Sequence, residues 1–587
     1  MDREASPTTT SSSSSTSAAS NFQFPYEFLI VTLEKYSNSY MDKLVEHFQH
    51  WNLKSERPYI FSLETNSTET ASLQFSTLES SKFAWTQVIT KAYAALFTIY
   101  FVTKCLGSRD KKGTHFFPPS SKPIFSYCHA LILVLIECAL VNLTLILAFP
   151  ILFAFHFSIY ISRVLLQLYL DYVHAGHPRL QLLNGADGLW AAECEAHTCP
   201  FTCLYVLEGT CDLRLLRDRL LHKFVNKRDP LTGELLYKRM KYCMRTFFGF
   251  LCWAPAHEFH IEDHVRLATT EKNEDMTESQ VFHLMGNLAH TVMPKEERSP
   301  WEILVIPRYR FDNESQTANG YPNGKNNYYA LIFRIHHGLM DGISAASALN
   351  FAVADHPVKI SVDPVNFSYP KVAFYVKLLG VLKFLIFGAR AFFWSLATRE
   401  THEFTNKNLT GPKHMGWTRP FHLDCVKAIR KSTGTSSTSV FASVFATALK
   451  NVKKERVGGQ ELDRVYSVTT LALLPYPNRK PQNRFTIGHI GVNVRNTSSV
   501  IDRLQEAHHH VYSMATSYDL YLHYVMTHLI GRCPEWLIKY FLQISHASAI
   551  ISNVPGPLEK LTILGSQVQQ VAGWIPIKGR TGVCLVE

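Results

Sequence analysis

Residues 331–350 read LIFRIHHGLMDGISAASALN. An apolar run from Tyr328 to Ile335 has the look of a buried strand, and it ends in His336-His337. Asp341-Gly342 stands four residues after His337, at the head of a small-residue pattern that reads as a helix. A strand-to-helix turn is a place where a chemical group is held rigidly at an edge. Histidine suits general-base work, because its ordinary pKa lies near neutrality. Asp341 is placed to fix the local turn, and Gly342 permits close packing or a positive φ at the helix entry. The pair alone also fits a satisfied core histidine or a metal ligand. No Gly-x-Ser-x-Gly elbow and no cysteine in a catalytic setting stands out, which favours direct attack by a deprotonated substrate over a covalent acyl-enzyme.

Outward from this stretch the chain is mixed α/β. Residues 201–209, 302–309 and 328–336 read as strands, with PNGKNN at 322–327 as a turn. Residues 212–224 read as an amphipathic helix with Leu213, Leu216, Leu220 and Phe224 on one stripe. Further on, 437–455 reads as a helix and 464–472 as a strand. Between the two globular parts lies 371–398, an apolar segment holding Lys377, Lys383 and Arg390. Lying in a membrane interface with the cations snorkelling costs less than crossing; a buried inter-domain helix is the other reading.

The N-terminal part has a different texture. Residues 5–20 are rich in Ser, Thr and Ala and predict a disordered tail. From Cys138 to Ser162 no residue carries a formal charge, and the apolar run reaches back to Ile124 with only Glu137 interrupting. Such a span either crosses a bilayer once or dips in as a hairpin broken at Pro150. A weaker candidate runs from Phe83 to Val102. The basic segment 104–122 predicts a cytoplasmic location for itself. These readings give a tail at 1–20, a membrane-associated region at 21–175, a globular half at 176–365, a linker at 366–415 and a second half at 416–587.

The chain has 587 residues, so at ~150 residues per domain roughly three or four units are expected. With 46% hydrophobic and 18% charged residues, global disorder is excluded. A net charge of +11 over this length is too mild to argue for nucleic acid. Twelve cysteines are far from a disulfide scaffold. The local cluster Cys194, Cys199, Cys203 and Cys211, with His197 inside it, lacks the Cys-x-x-Cys spacing of a zinc site. The run His508-His509-His510 reads as solvated, since consecutive side chains diverge on a helix. No metal is expected. Sequons at Asn66, Asn313, Asn366, Asn408 and Asn496 matter only if their segments face a lumen.

The string His336 to Gly342 resembles the active-site motif of the bifunctional wax ester synthase/diacylglycerol acyltransferases, relatives of the chloramphenicol acetyltransferase-like and BAHD acyltransferases. Leu183 to Trp190 with Glu193 is similar to that family's "LSPLDAMFLLLE" stretch. Phe259 to Arg266 is similar to "FDLRHHVR", Ser299 to Glu302 to "RPLWE", and Ser552 to Pro557 to "SNVPGP". The resemblance covers about 180–587. It implies a two-domain chloramphenicol acetyltransferase-like α/β fold behind an N-terminal helical membrane region. It also implies acyl transfer from acyl-CoA, a co-substrate with no further cofactor, to a long-chain alcohol or diacylglycerol at a membrane. In that reading His337 is the general base, Asp341 orients its turn, and His336 supports it. Gly342, Trp301 and Glu302 support the site, Asp187 is scaffold, and Asn553 is the oxyanion candidate. Because acyl-CoA is cytosolic, the hairpin reading is preferred, with the catalytic region on the cytosolic face of the endoplasmic reticulum or at a lipid droplet. Two departures stand out. Thr438-Ser439 replaces the family's Asn-Asp pair, and Glu587 comes soon after Gly573 to Pro576, where the family adds a "SYNG"-type strand. These leave two alternatives: a non-catalytic membrane or lipid-droplet protein that kept the fold, and an acyl-CoA transferase for another acceptor.

Overall fold

The computed structural model describes residues 122–587 except 175–179, 194–197, 269–274, 313–326, 361–373, 398–412, 419–421, 456–463, 496–498, 516, 518, 543–546, 555, 578–580, 582 and 587. The tail, the 83–102 candidate, all five sequons, Cys194 and His197 lie outside the described residues.

The first described element corrects the hairpin reading. Lys122–Val173 is one helix of 52 residues that runs through Pro150 without a break, about 78 Å at 1.5 Å per residue. A proline removes one backbone hydrogen bond and crowds the preceding turn. Here the long apolar helix on both sides outweighs that local loss. His129–Val173 is long and apolar enough to cross a membrane, and an 18-residue window within it has a mean hydropathy of 2.6. Its C-terminal part is fastened to the globular body. Leu166 and Leu170 are buried in the main core. Arg163 donates to the Leu183 carbonyl at 2.6 Å, and Gln167 to the Leu180 carbonyl at 2.9 Å. The apolar linker forms helices Phe374–Lys383 and Ala389–Ala397 joined by a π-helical turn, Phe384–Gly388. It leans on the long helix through Arg390–Glu137 at 2.5 Å and Asn142 Nδ2 to the Ile386 carbonyl at 3.0 Å.

The body is mixed α/β. A seven-stranded sheet has the order Thr562–Ile563, Ser566–Trp574, Pro200–Glu208, Tyr328–His336, Trp301–Arg310, Val265–Leu267, with Asp275–Thr277 pairing alongside Trp301–Arg310. A four-stranded sheet has the order Phe485–Asn493, Arg464–Ala472, Ala549–Ser552, Val583–Val586. The strand Ser566–Trp574 therefore leaves the second half and joins the first sheet, pairing antiparallel with Pro200–Glu208. The second half is not self-contained at 562–574. Its last described strand pairs parallel with Ala549–Ser552. Every residue of Tyr328–His336 is buried, as a central strand covered on both faces requires.

One close backbone contact sets the site. Helix Gly185–Ala191 is capped by Asn184, whose side chain accepts from the Asp187 amide at 2.8 Å. It packs on the end of helix Asp519–Ile530 so closely that a Cβ on Gly531 would overlap the Gly185 carbonyl oxygen. Both partners are main chain and neither can yield. Gly531→Ala is expected to destabilise the protein by at least ~1–3 kcal/mol. Thermal unfolding in detergent checks this, and an unchanged midpoint would contradict the packing.

Candidate active site

The strand Tyr328–His336 delivers the motif to the seam between the sheets. His336 lies opposite Pro200 in the sheet register, and the His337 amide donates to the Cys199 carbonyl at 3.0 Å. Asp341 then caps helix Gly342–Ala348, accepting from the Ser344 amide at 2.8 Å. An aspartate at this position satisfies one of the free N–H groups at the helix start. Its second oxygen reaches the other half of the protein, accepting from Tyr476 Oη and the Arg484 amide, each at 2.8 Å. The Asp341 amide donates to the Gln482 carbonyl at 3.1 Å. Burial pushes the Asp341 carboxyl above the usual range, against the hydrogen bonds from Arg484, Ser344 and Tyr476.

His337 is 7% exposed. Its ring stacks on Trp190 at 4.3 Å between centroids, with Phe485 at 5.5 Å and Phe201 edge-on at 5.7 Å. Its Nδ1 lies 3.0 Å from Asn483 Oδ1. Asn483 Nδ2 donates to the His337 carbonyl at 2.9 Å and to Asp187 Oδ1 at 3.0 Å. Asp187 is fully buried and pairs with Arg239 at 2.5 Å. The Asp187 carboxylate caps no helix here. Asn184 caps, and Asp187 faces Asn483.

His336 is fully buried. Its Nδ1 accepts from the Gly338 amide at 3.0 Å, so its proton sits on Nε2, which faces Glu193 Oε1 at 3.2 Å. Burial pushes the Glu193 carboxyl up, but His336 and Lys295 outweigh it and hold the group at about 2. Glu193, Cys199 and His336 bring three potential metal-ligand atoms within 4.8 Å of one another. Their hydrogens are already committed. Glu193 Oε2 accepts from the Cys199 amide at 3.0 Å, and Cys199 Sγ donates to the Ala192 carbonyl at 3.5 Å. Lys295 also lies there, donating to the Ala191 carbonyl at 2.7 Å.

The remaining predicted residues fall further out. Trp301 is buried, donates to the Met240 carbonyl at 3.0 Å and stacks on His264 at 4.4 Å. Glu302 pairs with Arg334 at 2.8 Å and Arg266 at 2.9 Å. Both are framework. Gly342 does not take a positive φ; a Cβ there would meet Val554 at 3.3 Å. The turn carrying Asn553 thus packs against the motif, while Asn553 itself is exposed. Ser439, in the place of the family's Asn-Asp pair, is buried and bonds Ser436 at 2.6 Å and His508 at 3.3 Å. Cavities of about 340 Å³ and 220 Å³ lie near the motif. Asn184, Asp187, Arg239 and Gln482 line the first, and Pro200, Lys413 and Trp574 the second.

Sequence reasoning missed Asn483 and Tyr476 entirely. Both stand in a coil between strands of the second sheet, at 476–484, with no motif spacing to mark them.

The WS/DGAT C-terminal domain model matches residues 482–585. The match begins at Gln482 and takes in Asn483 and Arg484, which grip the motif turn. A comparison with curated proteins finds no match. Among solved structures, the chain is similar to a wax ester synthase/diacylglycerol acyltransferase from Marinobacter aquaeolei VT8. That pair is 16% identical over 69% of this chain and 90% of that one, with a TM-score of 0.43. It is also similar to the trichothecene 15-O-acetyltransferase of Fusarium sporotrichioides, 8% identical over 70% and 88%, TM-score 0.43. SgcC5 from Streptomyces globisporus is 14% identical over 69% and 89%, TM-score 0.39. Structural likenesses of this size carry no functional argument. The motifs and the matched domain agree with each other: the chain is an acyl-CoA-dependent acyltransferase that carries a wax ester synthase/diacylglycerol acyltransferase C-terminal domain.

Proposed function

We propose that this protein moves a fatty acyl group from acyl-CoA to the hydroxyl of a long-chain alcohol or a diacylglycerol, at a membrane, with His337 as general base. The observation that carries the reading is the His337 ring itself. It is walled by Trp190, Phe201 and Phe485 and engaged through Nδ1 by Asn483. Nε2, the other ring nitrogen, is the proposed base toward the acceptor hydroxyl. As that oxygen attacks the thioester carbonyl, its proton passes to Nε2. The tetrahedral intermediate then collapses, the C–S bond breaks, and the imidazolium returns the proton to the CoA thiolate. A positioned base supplies ~10²–10⁴ in rate, and holding both substrates in attack geometry supplies more. Asn553 is the proposed donor to the tetrahedral oxyanion. His336 supports the turn through Glu193.

Membrane attachment is supported by two neighbouring surfaces. The long helix exposes Phe149, Ile151, Phe153 and Phe157, and the linker helices expose Phe374, Leu378, Leu382 and Trp394. Acyl-CoA is cytosolic, so the proposal puts the body on the cytosolic face of the endoplasmic reticulum or on a lipid droplet. With Lys122–Val173 unbroken and 104–122 read as cytoplasmic, it requires the long helix to lie in the membrane interface instead of crossing once.

The test is esterification by membranes containing the full chain, with labelled palmitoyl-CoA and either hexadecanol or diacylglycerol. Labelled ester is expected and names the acceptor. Well-expressed protein that forms no ester from either acceptor overturns the proposal.

A further inference from the structure

The acid that acts on His337 is not in its motif. A histidine base needs one ring nitrogen free and the other holding the proton, and its partner on Nδ1 decides which is which. That partner is Asn483 Oδ1 at 3.0 Å. An amide can present either end, so something must fix Asn483 in turn. Its Nδ2 faces the Asp187 carboxylate at 3.0 Å and the His337 carbonyl at 2.9 Å, both pure acceptors. The NH₂ group therefore belongs there, Oδ1 faces the imidazole, and the ring proton sits on Nδ1. Asp187 is itself fully buried and clamped. Arg239 donates to it at 2.5 Å and to the Leu339 carbonyl, inside the motif, at 2.9 Å.

We infer that Asp187 is a positioning residue for His337. Through Asn483 it fixes the Nδ1–H tautomer, so that Arg239, Asp187, Asn483 and His337 form a relay. An amide stands in this relay where a triad has its carboxylate. The inference rests on the reading of His337 as general base. The carboxylate lies one residue removed from the imidazole, so its negative charge orients the ring without sitting directly on it. The same short stretch serves both histidines, since Glu193 holds His336 as Asp187 holds His337.

The test compares three full-length proteins in membranes: wild type, Asp187→Asn, and the swap Asp187→Asn/Asn483→Asp. In D187N the new amide offers Asn483 either its oxygen or its nitrogen, so the tautomer is no longer specified. Its kcat is expected to fall at least ~10-fold, with the KM for acyl-CoA little changed. The swap puts a carboxylate directly on Nδ1–H. It is expected to regain at least ~10-fold over D187N, and the acid limb of its pH–rate profile should move to higher pH, because an adjacent anion favours the imidazolium. A purely structural Asp187 predicts no recovery of kcat in the swap, and that result overturns the inference. Wild-type kcat in D187N also overturns it. Should D187N not accumulate as folded protein, the swap decides alone: an acid limb equal to wild type counts against the relay. Full activity in His337→Ala sinks the general-base reading itself, whereas an inactive H337A beside a fully active D187N sinks only the relay.

Discussion

His337→Ala is expected to lower kcat for ester formation by ~10²–10⁴-fold with either acceptor, and to leave the protein folded. Each factor of ten is about 1.4 kcal/mol of transition-state stabilisation, so the loss is roughly 3–5 kcal/mol. The fold survives because the main-chain bonds of residue 337 do not depend on its ring. Its amide still donates to the Cys199 carbonyl, and its carbonyl still accepts from Asn483 Nδ2. The substitution loses the Nδ1 bond to Asn483 and the stacking on Trp190, together about 1–3 kcal/mol of stability. Rate and stability therefore separate. The KM for acyl-CoA should move little, since the lost interaction acts on a proton that is in flight only in the transition state. Initial rates with labelled palmitoyl-CoA, alongside thermal unfolding in detergent, check both halves of the expectation. A rate within about threefold of wild type in the alanine protein would remove His337 from the chemistry.

The strand Tyr328–His336, the turn after it and the helix at 342 were legible because each has a local signature: a continuous apolar run, a polar break, and small residues at helical spacing. Helix Ser437–Glu455 and strand Arg464–Ala472 were read with the bounds the structure gives them, for the same reason. Three features were not local and were missed. Pro150 looks like a helix break in isolation, yet Lys122–Val173 continues through it. Ser566–Trp574 pairs with Pro200–Glu208, a partner more than 350 residues earlier, and nothing in its own sequence names that partner. Asn483 is an ordinary residue in a coil until Asp187 and His337, 296 and 146 residues away, close around it. The motif shows where chemistry is placed, and the grip on it comes from the opposite half of the chain.

That grip runs through Asp341, and its substitutions should separate two roles that a single alanine would merge. Asp341→Ala leaves three donors without their acceptor: the Ser344 amide, the Arg484 amide and Tyr476 Oη. At about 1–3 kcal/mol for each unsatisfied buried donor, roughly 3–9 kcal/mol of stability should go. Asparagine caps helices about as well as aspartate. If capping helix Gly342–Ala348 were the only task of residue 341, D341N would be close to neutral. The structure gives a different expectation. One oxygen caps Ser344 while the other accepts from Arg484 N–H and Tyr476 O–H. An asparagine that keeps the cap must aim its NH₂ at the Arg484 N–H, donor against donor. Tyr476 can turn to accept, but a backbone amide cannot. D341N should therefore lose about 2–4 kcal/mol, more than Tyr476→Phe, which gives up one hydrogen bond at about 1 kcal/mol. Because Gln482 to Arg484 carry Asn483, activity should fall in the same order: Y476F least, then D341N, then D341A. Thermal midpoints and esterification rates of the three proteins, measured side by side, read this ordering directly. A D341N protein as stable as wild type would reduce Asp341 to a helix cap and break the proposed link between the motif and the second half.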